Sequence, residues 1–206
     1  MTRDDERFQR SQEEPIVGGL PDVPGIGAAM RLTAGLGVHL RGLADELLVH
    51  DYPGTTLSRH ERELLAMATS AANDCFFCMD SHAAHALALL DESEATRLEP
   101  VLDEMKAGSF DQLTPKMQAL VSIARRVRGN ARELTRDDVA AACDAGATDA
   151  DVQLAVLIAA GFSMYNRLVD GFRARTAPST AVYRQRAAEI ADHGYSMPAA
   201  TGPAQK

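Results

Sequence analysis

The chain has 206 residues, of which 46% are hydrophobic and 24% charged; this excludes a chain disordered throughout and fits one globular domain. The 21 lysine and arginine residues against 29 acidic ones give a formal net charge of −8, and since no basic stripe is present to neutralise phosphates, we expect no nucleic-acid partner. No stretch reaches the roughly 18 uninterrupted apolar residues that cross a membrane, and residues 1–15 are too polar for a signal peptide, so we expect a cytoplasmic protein with no membrane partner.

Aromatic residues make up only 5% of the chain and tryptophan is absent, a composition that favours packed helices over a sheet. No segment alternates apolar and polar residues over the length of a strand. We therefore predict an all-α fold, with a single domain of about six to eight helices over residues 15–195. Residues 1–14 and 196–206 carry no hydrophobic period and are predicted to be flexible tails.

Capping residues and hydrophobic periodicity divide this domain into helices. Residues 26–50 are predicted to form two helices or one bent helix, because two glycines interrupt the period. Ser58 and Glu61 form a capping box for the next helix. The helix that begins at Thr148 is apolar nearly all round, so we expect it at the centre of the fold. Other helix starts are predicted at Asp74, Ser93, Thr114, Thr135 and Ser179.

The most informative feature is a pair of cysteines, Cys75 and Cys78, in the first turn of the helix predicted to begin at Asp74. A helix start supplies unpaired N–H groups and a positive dipole end, which stabilise a thiolate. Helical geometry puts the two Cα atoms roughly 5 to 6 Å apart, within the range of a disulfide. The pair is therefore able to alternate between dithiol and disulfide, although two small buried side chains without chemistry fit the same spacing.

Two further side chains belong to the same hypothesis. His82 lies four residues after Cys78, on the same helix face, where its imidazole is able to take the thiol proton. Glu63 lies beside the apolar stripe of the preceding helix, where a carboxylate would orient an imidazole and make it more basic. From the residues alone, an exposed position is the more economical interpretation of Glu63, as of its neighbour Arg62.

His85 adds a second histidine to the two cysteines and His82, and these four side chains make a metal site an alternative. About 15 Å of helical rise separates Cys75 from His85, too far for four ligands on one helix to surround a tetrahedral ion. We expect no metal and no cofactor, and a thioredoxin-type site is disfavoured because it needs a βαβ setting. Cys143 is expected in the core. Asn166 and Asp170 either line a pocket or make ordinary helix-end hydrogen bonds.

Eleven residues separate Glu63 from Cys75, two separate Cys75 from Cys78, and three separate Cys78 from His82. This spacing resembles the signature of AhpD-like alkylhydroperoxidases in the carboxymuconolactone decarboxylase superfamily. The resemblance extends over about residues 15–172. It implies an AhpD-like helical fold that assembles into homo-oligomers, trimers or hexamers. It also implies a peroxidase in which Cys78 is the peroxidatic thiolate, Cys75 the resolving thiol, and His82 with Glu63 the proton relay.

By the same resemblance, the substrate is a small organic or hydrogen peroxide, and a lipoyl-type or thioredoxin-like dithiol reduces the resulting disulfide. One departure is Phe77, where family members often have a histidine, and this weakens the expectation of rapid turnover. Two alternatives stay open. One is a carboxymuconolactone decarboxylase-type lactone enzyme of aromatic catabolism that uses His82 and Glu63 as acid and base, and the other is a redox sensor that forms the disulfide without turnover.

Overall fold

The computed structural model describes residues 14–177 and 179–196. Within these ranges all regular structure is helical, which confirms the all-α prediction, and it comprises nine α-helices with a 3₁₀ turn over Ala131–Glu133. The helices exceed the expected number because residues 26–50 divide into two. They are α1 (Ile26–Met30), α2 (Ala34–Leu48), α3 (Arg59–Ala72), α4 (Phe76–Ala88), α5 (Glu92–Ala107), α6 (Pro115–Asn130), α7 (Arg136–Asp144), α8 (Asp149–Phe172) and α9 (Thr180–His193). The predicted tails fall almost entirely outside the described residues.

Side-chain caps set most of the helix starts, as the sequence predicts. The Ser58 side chain accepts a hydrogen bond from the Glu61 N–H, and the Glu61 carboxylate accepts one from the Ser58 N–H. Thr114 caps α6 and is followed by Pro115 at the first helical position. The same reciprocal box begins α7 and α8, formed by Thr135 with Asp138 and by Thr148 with Asp151.

Two of the predicted helix starts are wrong. Asp91, rather than Ser93, caps α5. Asp74 has a left-handed φ of 56°, and Cys75 takes the N-cap position of α4. The Cys75 N–H donates to the Ser70 carbonyl of α3 at 3.0 Å, so α4 begins directly against the end of α3.

Helix α8 lies at the centre, as its apolar sequence predicts, and packs mainly against α3 and α6. It is the one helix among the described residues that is long and apolar enough to cross a membrane. Its polar residues Asp151, Ser163 and Asn166 are nevertheless buried and hydrogen-bonded to other parts of the chain. These contacts are typical of the core helix of a globular fold, in which buried polar groups find protein partners.

Asp151 ties the start of α8 to the loop that precedes α3. Its buried carboxylate accepts hydrogen bonds from the Thr55 hydroxyl at 2.6 Å, the Thr56 N–H and hydroxyl at 2.7 Å each, and the Thr148 N–H at 2.9 Å. Burial by itself would raise the pKa of Asp151, but these hydrogen bonds hold it at about 2. The ionised carboxylate therefore fixes α3, which carries Glu63, relative to the central helix.

Two side chains are placed differently from expectation. Arg62 is buried rather than exposed, and its guanidinium donates to the Leu57 and His50 carbonyls at 3.3 and 2.7 Å. Cys143 is exposed rather than in the core, because the short helix α7 buries only Ala142. Both errors arise because periodicity on one helix does not show which neighbouring segments cover it.

Candidate active site

Cys75 and Cys78 lie together at the start of α4, both buried and both in the free thiol form. They share a small apolar cluster with Ala28, Val169 and Ala174. Val169 and Ala174 come from the end of α8 and the residues that follow it, whereas Ala28 comes from α1. The fold thus encloses the dithiol between α1 and the end of α8.

The Cys75 thiol holds its proton firmly. A side-chain hydrogen bond with Cys78, burial, and the negative charge of Asp170 all raise the pKa of Cys75 far above its ordinary value. The two sulfurs are therefore close enough to interact directly, as the formation of a disulfide between them requires.

Glu63 is only 1% exposed and faces α4, so the interpretation of an exposed glutamate is wrong. Its Oε2 lies 2.7 Å from Nδ1 of His82, whose side chain is 5% exposed. The His82 ring also packs edge-on against the ring of Phe162, with centroids 4.5 Å apart. The structure therefore joins Glu63 and His82 in one buried hydrogen bond, one helical turn along α4 from Cys78.

Two more side chains complete this network, and one of them, Tyr195, carries no signal in the sequence. The Tyr195 hydroxyl donates to Glu63 Oε1 at 2.8 Å and lies 2.9 Å from His85 Nδ1. His85 Nδ1 is also 3.6 Å from Glu63 Oε2. Tyr195 follows the end of α9, more than a hundred residues from Glu63, so no spacing rule could have connected them.

The hydrogen bonds allow one consistent placement of the protons. Because Tyr195 donates to Glu63, the tyrosine oxygen is free to accept, and His85 Nδ1 must be the donor. His82 Nδ1 likewise carries the proton that it donates to Glu63. Nε2 of His82 therefore holds the free lone pair, which is the nitrogen able to act as a base.

Glu63 is ionised and His82 neutral at neutral pH. Burial by itself would raise the pKa of Glu63, but the hydrogen bond with His82 and the neighbouring His85 lower it to about 2. Burial lowers the pKa of His82 below 6.5 and outweighs Glu63, which acts to raise it. Glu63 thus makes the imidazole more basic, as expected, but desolvation outweighs it and the net shift in the pKa of His82 is downward.

Acid is expected to destabilise the fold through this pair. Both pKa values lie below the ordinary 6.5 of histidine and 4.5 of glutamate, so the unfolded chain binds more protons and stability falls with falling pH. The loss begins near pH 6.5 through His82. It continues from 4.5 toward about 2 through Glu63, which contributes on the order of 3 kcal/mol. Urea unfolding at stepped pH values from 7 to 3 measures it, and an equal slope below pH 4.5 in a Glu63→Gln variant would contradict the assignment to Glu63.

Glu63, His82 and His85 also offer ligand atoms within 4.8 Å of one another, a donor set that zinc binds. Two ligands about 2.0–2.1 Å from a tetrahedral zinc ion lie about 3.3 Å apart. Glu63 Oε2 and His82 Nδ1 are only 2.7 Å apart, a distance that fits a shared proton. The observed geometry is therefore that of a hydrogen-bonded network.

A cavity of about 310 Å³ lies beside the dithiol. Val169 and Ala174, which pack with the cysteines, form part of its wall, and Asp170 and Phe77 also line it. Asp170 therefore faces a pocket, one of its two predicted roles. The Phe77 ring lies so close to Gly25 that a Cβ on Gly25 would overlap it. The segment before α1 therefore packs against Phe77, beside the cavity.

Asn166 hydrogen-bonds to another helix rather than at the end of its own, so it does not make the ordinary helix-end hydrogen bonds that were one of its two predicted roles. It is buried in α8, donates to the Ser70 hydroxyl at 3.0 Å and accepts from the Asn73 amide at 2.8 Å. Arg128 Nε in turn donates to Asn73 at 2.8 Å. These bonds hold the end of α3 against α8, directly before the turn that leads to Cys75.

The part of the chain that carries this site matches a known family model. Residues 40–94, which contain the glutamate, both cysteines and both histidines of the site, match the sequence model of the carboxymuconolactone decarboxylase family. A comparison with curated protein sequences finds no match.

Two solved structures share the fold. One is described as the alkylhydroperoxidase AhpD core of an uncharacterized peroxidase-related protein from Ralstonia eutropha JMP134, with a TM-score of 0.67, 24% identity, and coverage of 79% of this chain and 82% of that one. The other is an uncharacterized peroxidase-related protein from Silicibacter sp. TM1040, with a TM-score of 0.65, 21% identity, and coverage of 84% and 93%. The AhpD-like resemblance inferred from the sequence is thereby confirmed for the fold.

Proposed function

From an AhpD-like fold that carries a carboxymuconolactone decarboxylase family segment, we propose a cysteine-based peroxidase that reduces small peroxides through a Cys75–Cys78 dithiol and disulfide cycle. The observation that carries the proposal is the buried Glu63–His82 hydrogen bond of 2.7 Å, one helical turn from a reduced dithiol. A neutral imidazole oriented by a carboxylate is the arrangement that deprotonates a nucleophile near neutral pH.

In the first step, Nε2 of His82 takes the proton of the Cys78 thiol, while Glu63 stabilises the imidazolium that forms. The Cys78 thiolate attacks the terminal oxygen of the peroxide, an S–O bond forms and the O–O bond breaks. The leaving alkoxide receives the proton from His82. The products are an alcohol, or water from hydrogen peroxide, and a sulfenic acid at Cys78.

In the second step, the Cys75 sulfur attacks the sulfenic sulfur of Cys78. An S–S bond forms and the S–O bond breaks, and the leaving hydroxide takes the Cys75 proton to form water. Cys75 brings its own proton to this step, because the contact with Cys78 and burial raise its pKa. An external dithiol of lipoyl or thioredoxin-like type then reduces the disulfide by two exchanges and is itself oxidised.

The competing function is a lactone enzyme that uses His82 and Glu63 as acid and base, and the name of the matched family favours it. Such an enzyme needs no thiol, whereas this chain encloses a dithiol in which Cys75 is hydrogen-bonded to Cys78. The peroxidase accounts for all four residues and the lactone enzyme for two. We therefore rank the peroxidase first.

Thiol titration tests the proposal. Cys143 is exposed and would react on its own, so the measurements use a Cys143→Ser background. One equivalent of peroxide is expected to remove two thiols from this protein and only one from the Cys75→Ser variant, which stops at the sulfenic acid. Loss of a single thiol in the background protein, or of none, would contradict the cycle.

Turnover separates an enzyme from a sensor. Continued peroxide consumption is expected with dihydrolipoamide or with a reduced thioredoxin as the dithiol donor. A protein that forms the disulfide once but turns over with neither donor would be a redox sensor.

We also propose that the chain works in the cytoplasm as a homo-oligomer, a trimer or hexamer, and sedimentation of the purified protein measures that assembly.

A further inference from the structure

Tyr195 lies where the predicted domain ends, yet its side chain enters the most buried part of the site. The segment Gly194–Ser196 follows α9 and returns toward α3 and α4. The tyrosine hydroxyl contacts Glu63 at 2.8 Å and His85 at 2.9 Å, and its ring packs edge-on against the His85 ring with centroids 5.5 Å apart. A residue outside the matched family segment therefore completes the hydrogen bonding of the Glu63 carboxylate.

The backbone around Tyr195 is held by a second buried carboxylate. Asp45 of α2 is 5% exposed, and its two oxygens accept the Tyr195 N–H at 2.6 Å and the Ser196 N–H at 3.0 Å. Gly194 has a φ of +78°, and a Cβ there would lie 2.8 Å from the Asp45 carboxylate. The segment is thus fixed from α2, and the tyrosine is presented to Glu63 in one position.

The distances show what this tyrosine does to the carboxylate. His82 Nδ1 lies 2.7 Å from Glu63 Oε2, whereas His85 Nδ1 lies 3.6 Å from the same oxygen. Tyr195 occupies Oε1 and at the same time accepts the His85 N–H. Without the hydroxyl, His85 would lose its acceptor, and the nearest replacement is the oxygen that His82 uses.

We propose that Tyr195 is a positioning residue that directs Glu63 to His82 rather than to His85, and so holds His82 in the tautomer with the proton on Nδ1. Arg59 and Asp45 are the other charged groups near the phenol. In this structure the Arg59 guanidinium donates to the Ala191 and Ile190 carbonyls, and Asp45 accepts the Tyr195 and Ser196 N–H groups. The consequence for catalysis rests on the proposed function, because only there does Nε2 of His82 act as the base. The tautomer itself does not depend on that function.

Nitrogen-15 spectra of the histidine side chains in the full-length protein test the proposal. We expect His82 to be protonated at Nδ1 in the parent and in a Tyr52→Phe control, since the Tyr52 hydroxyl donates to Gln153 and not to Glu63. In Tyr195→Phe the Nδ1–H form is expected to fall in favour of Nε2–H, as His85 competes for Glu63. The reaction of Cys78 with peroxide should slow about tenfold, as expected for a lost hydrogen bond to a charged group.

Asp45→Asn provides a second variant that leaves the tyrosine in place but weakens its backbone support, and it should shift the His82 tautomer in the same direction. It decides the question if Tyr195→Phe does not fold, as judged by circular dichroism. A parent protein with His82 protonated at Nε2 would overturn the proposal without any variant. An unchanged His82 tautomer in a folded Tyr195→Phe variant would also overturn it. If that variant does not fold, an unchanged tautomer in Asp45→Asn would do so.

The two proposals fail in different ways. If the His82 tautomer shifts between the parent and Tyr195→Phe, but peroxide removes no thiols from the parent, the peroxidase function is wrong and the role of Tyr195 stands. If the parent consumes peroxide and Tyr195→Phe keeps both its tautomer and its rate, the function stands and the positioning role is wrong.

Discussion

Replacing Cys78 with serine is expected to lower the rate of peroxide consumption by at least about a thousandfold, the order of effect seen when an enzymatic nucleophile is removed. A serine hydroxyl cannot form a sulfenic acid. The remaining Cys75 thiol is buried, and burial together with the negative charge of Asp170 still acts to raise its pKa. Rapid mixing with one equivalent of peroxide in the Cys143→Ser background measures this rate. The Cys75 thiol should then survive the treatment.

Cys75→Ser is the matched control, since it removes the other sulfur of the same pair. We expect its first reaction with peroxide to remain within a few fold of the parent and to leave a sulfenic acid that dimedone traps. If Cys78→Ser consumed peroxide rapidly and Cys75→Ser did not, Cys75 would be the residue that attacks peroxide and Cys78 the resolving thiol. An unrelated lactone hydrolysis or decarboxylation that survives Cys78→Ser would instead favour the competing function.

Glu63→Gln is expected to slow the reaction at neutral pH by about 10²- to 10⁴-fold, the range that general acid and base groups contribute. The amide no longer stabilises the imidazolium of His82, and its NH₂ faces groups that are themselves donors. The Tyr195 hydroxyl and His82 Nδ1–H both donate to this carboxylate, so one of them loses its acceptor. The free energy of unfolding should also fall by about 1–3 kcal/mol.

Glu61→Gln is the control for that substitution, because it removes a carboxylate from the same helix at its capping box. It is expected to leave the peroxide rate within about twofold and to cost about 1 kcal/mol or less of stability, as other cap changes do. If both variants react at the parent rate, the buried carboxylate has no part in activating Cys78. Stopped-flow rates and urea midpoints, measured on the same preparations, separate the catalytic effect from the structural one.

The sequence by itself determined the features that depend on neighbouring residues. Capping boxes and the helical period predicted the starts of α3, α6, α7 and α8 because these hydrogen bonds form within one turn. The spacing of Cys75, Cys78 and His82 could be interpreted for the same reason, since all three lie at the start or on one face of a single helix. The apolar sequence of α8 likewise predicted its central position.

Only the tertiary structure decided which of these groups meet residues from distant parts of the chain. Glu63 lies on α3 and His82 on α4, so neither helix alone shows that they share a buried hydrogen bond. Tyr195 reaches Glu63 from beyond α9 because Asp45 holds its backbone. Burial, in turn, set the protonation of the pair, since the desolvation that keeps His82 neutral is contributed by every segment packed around it.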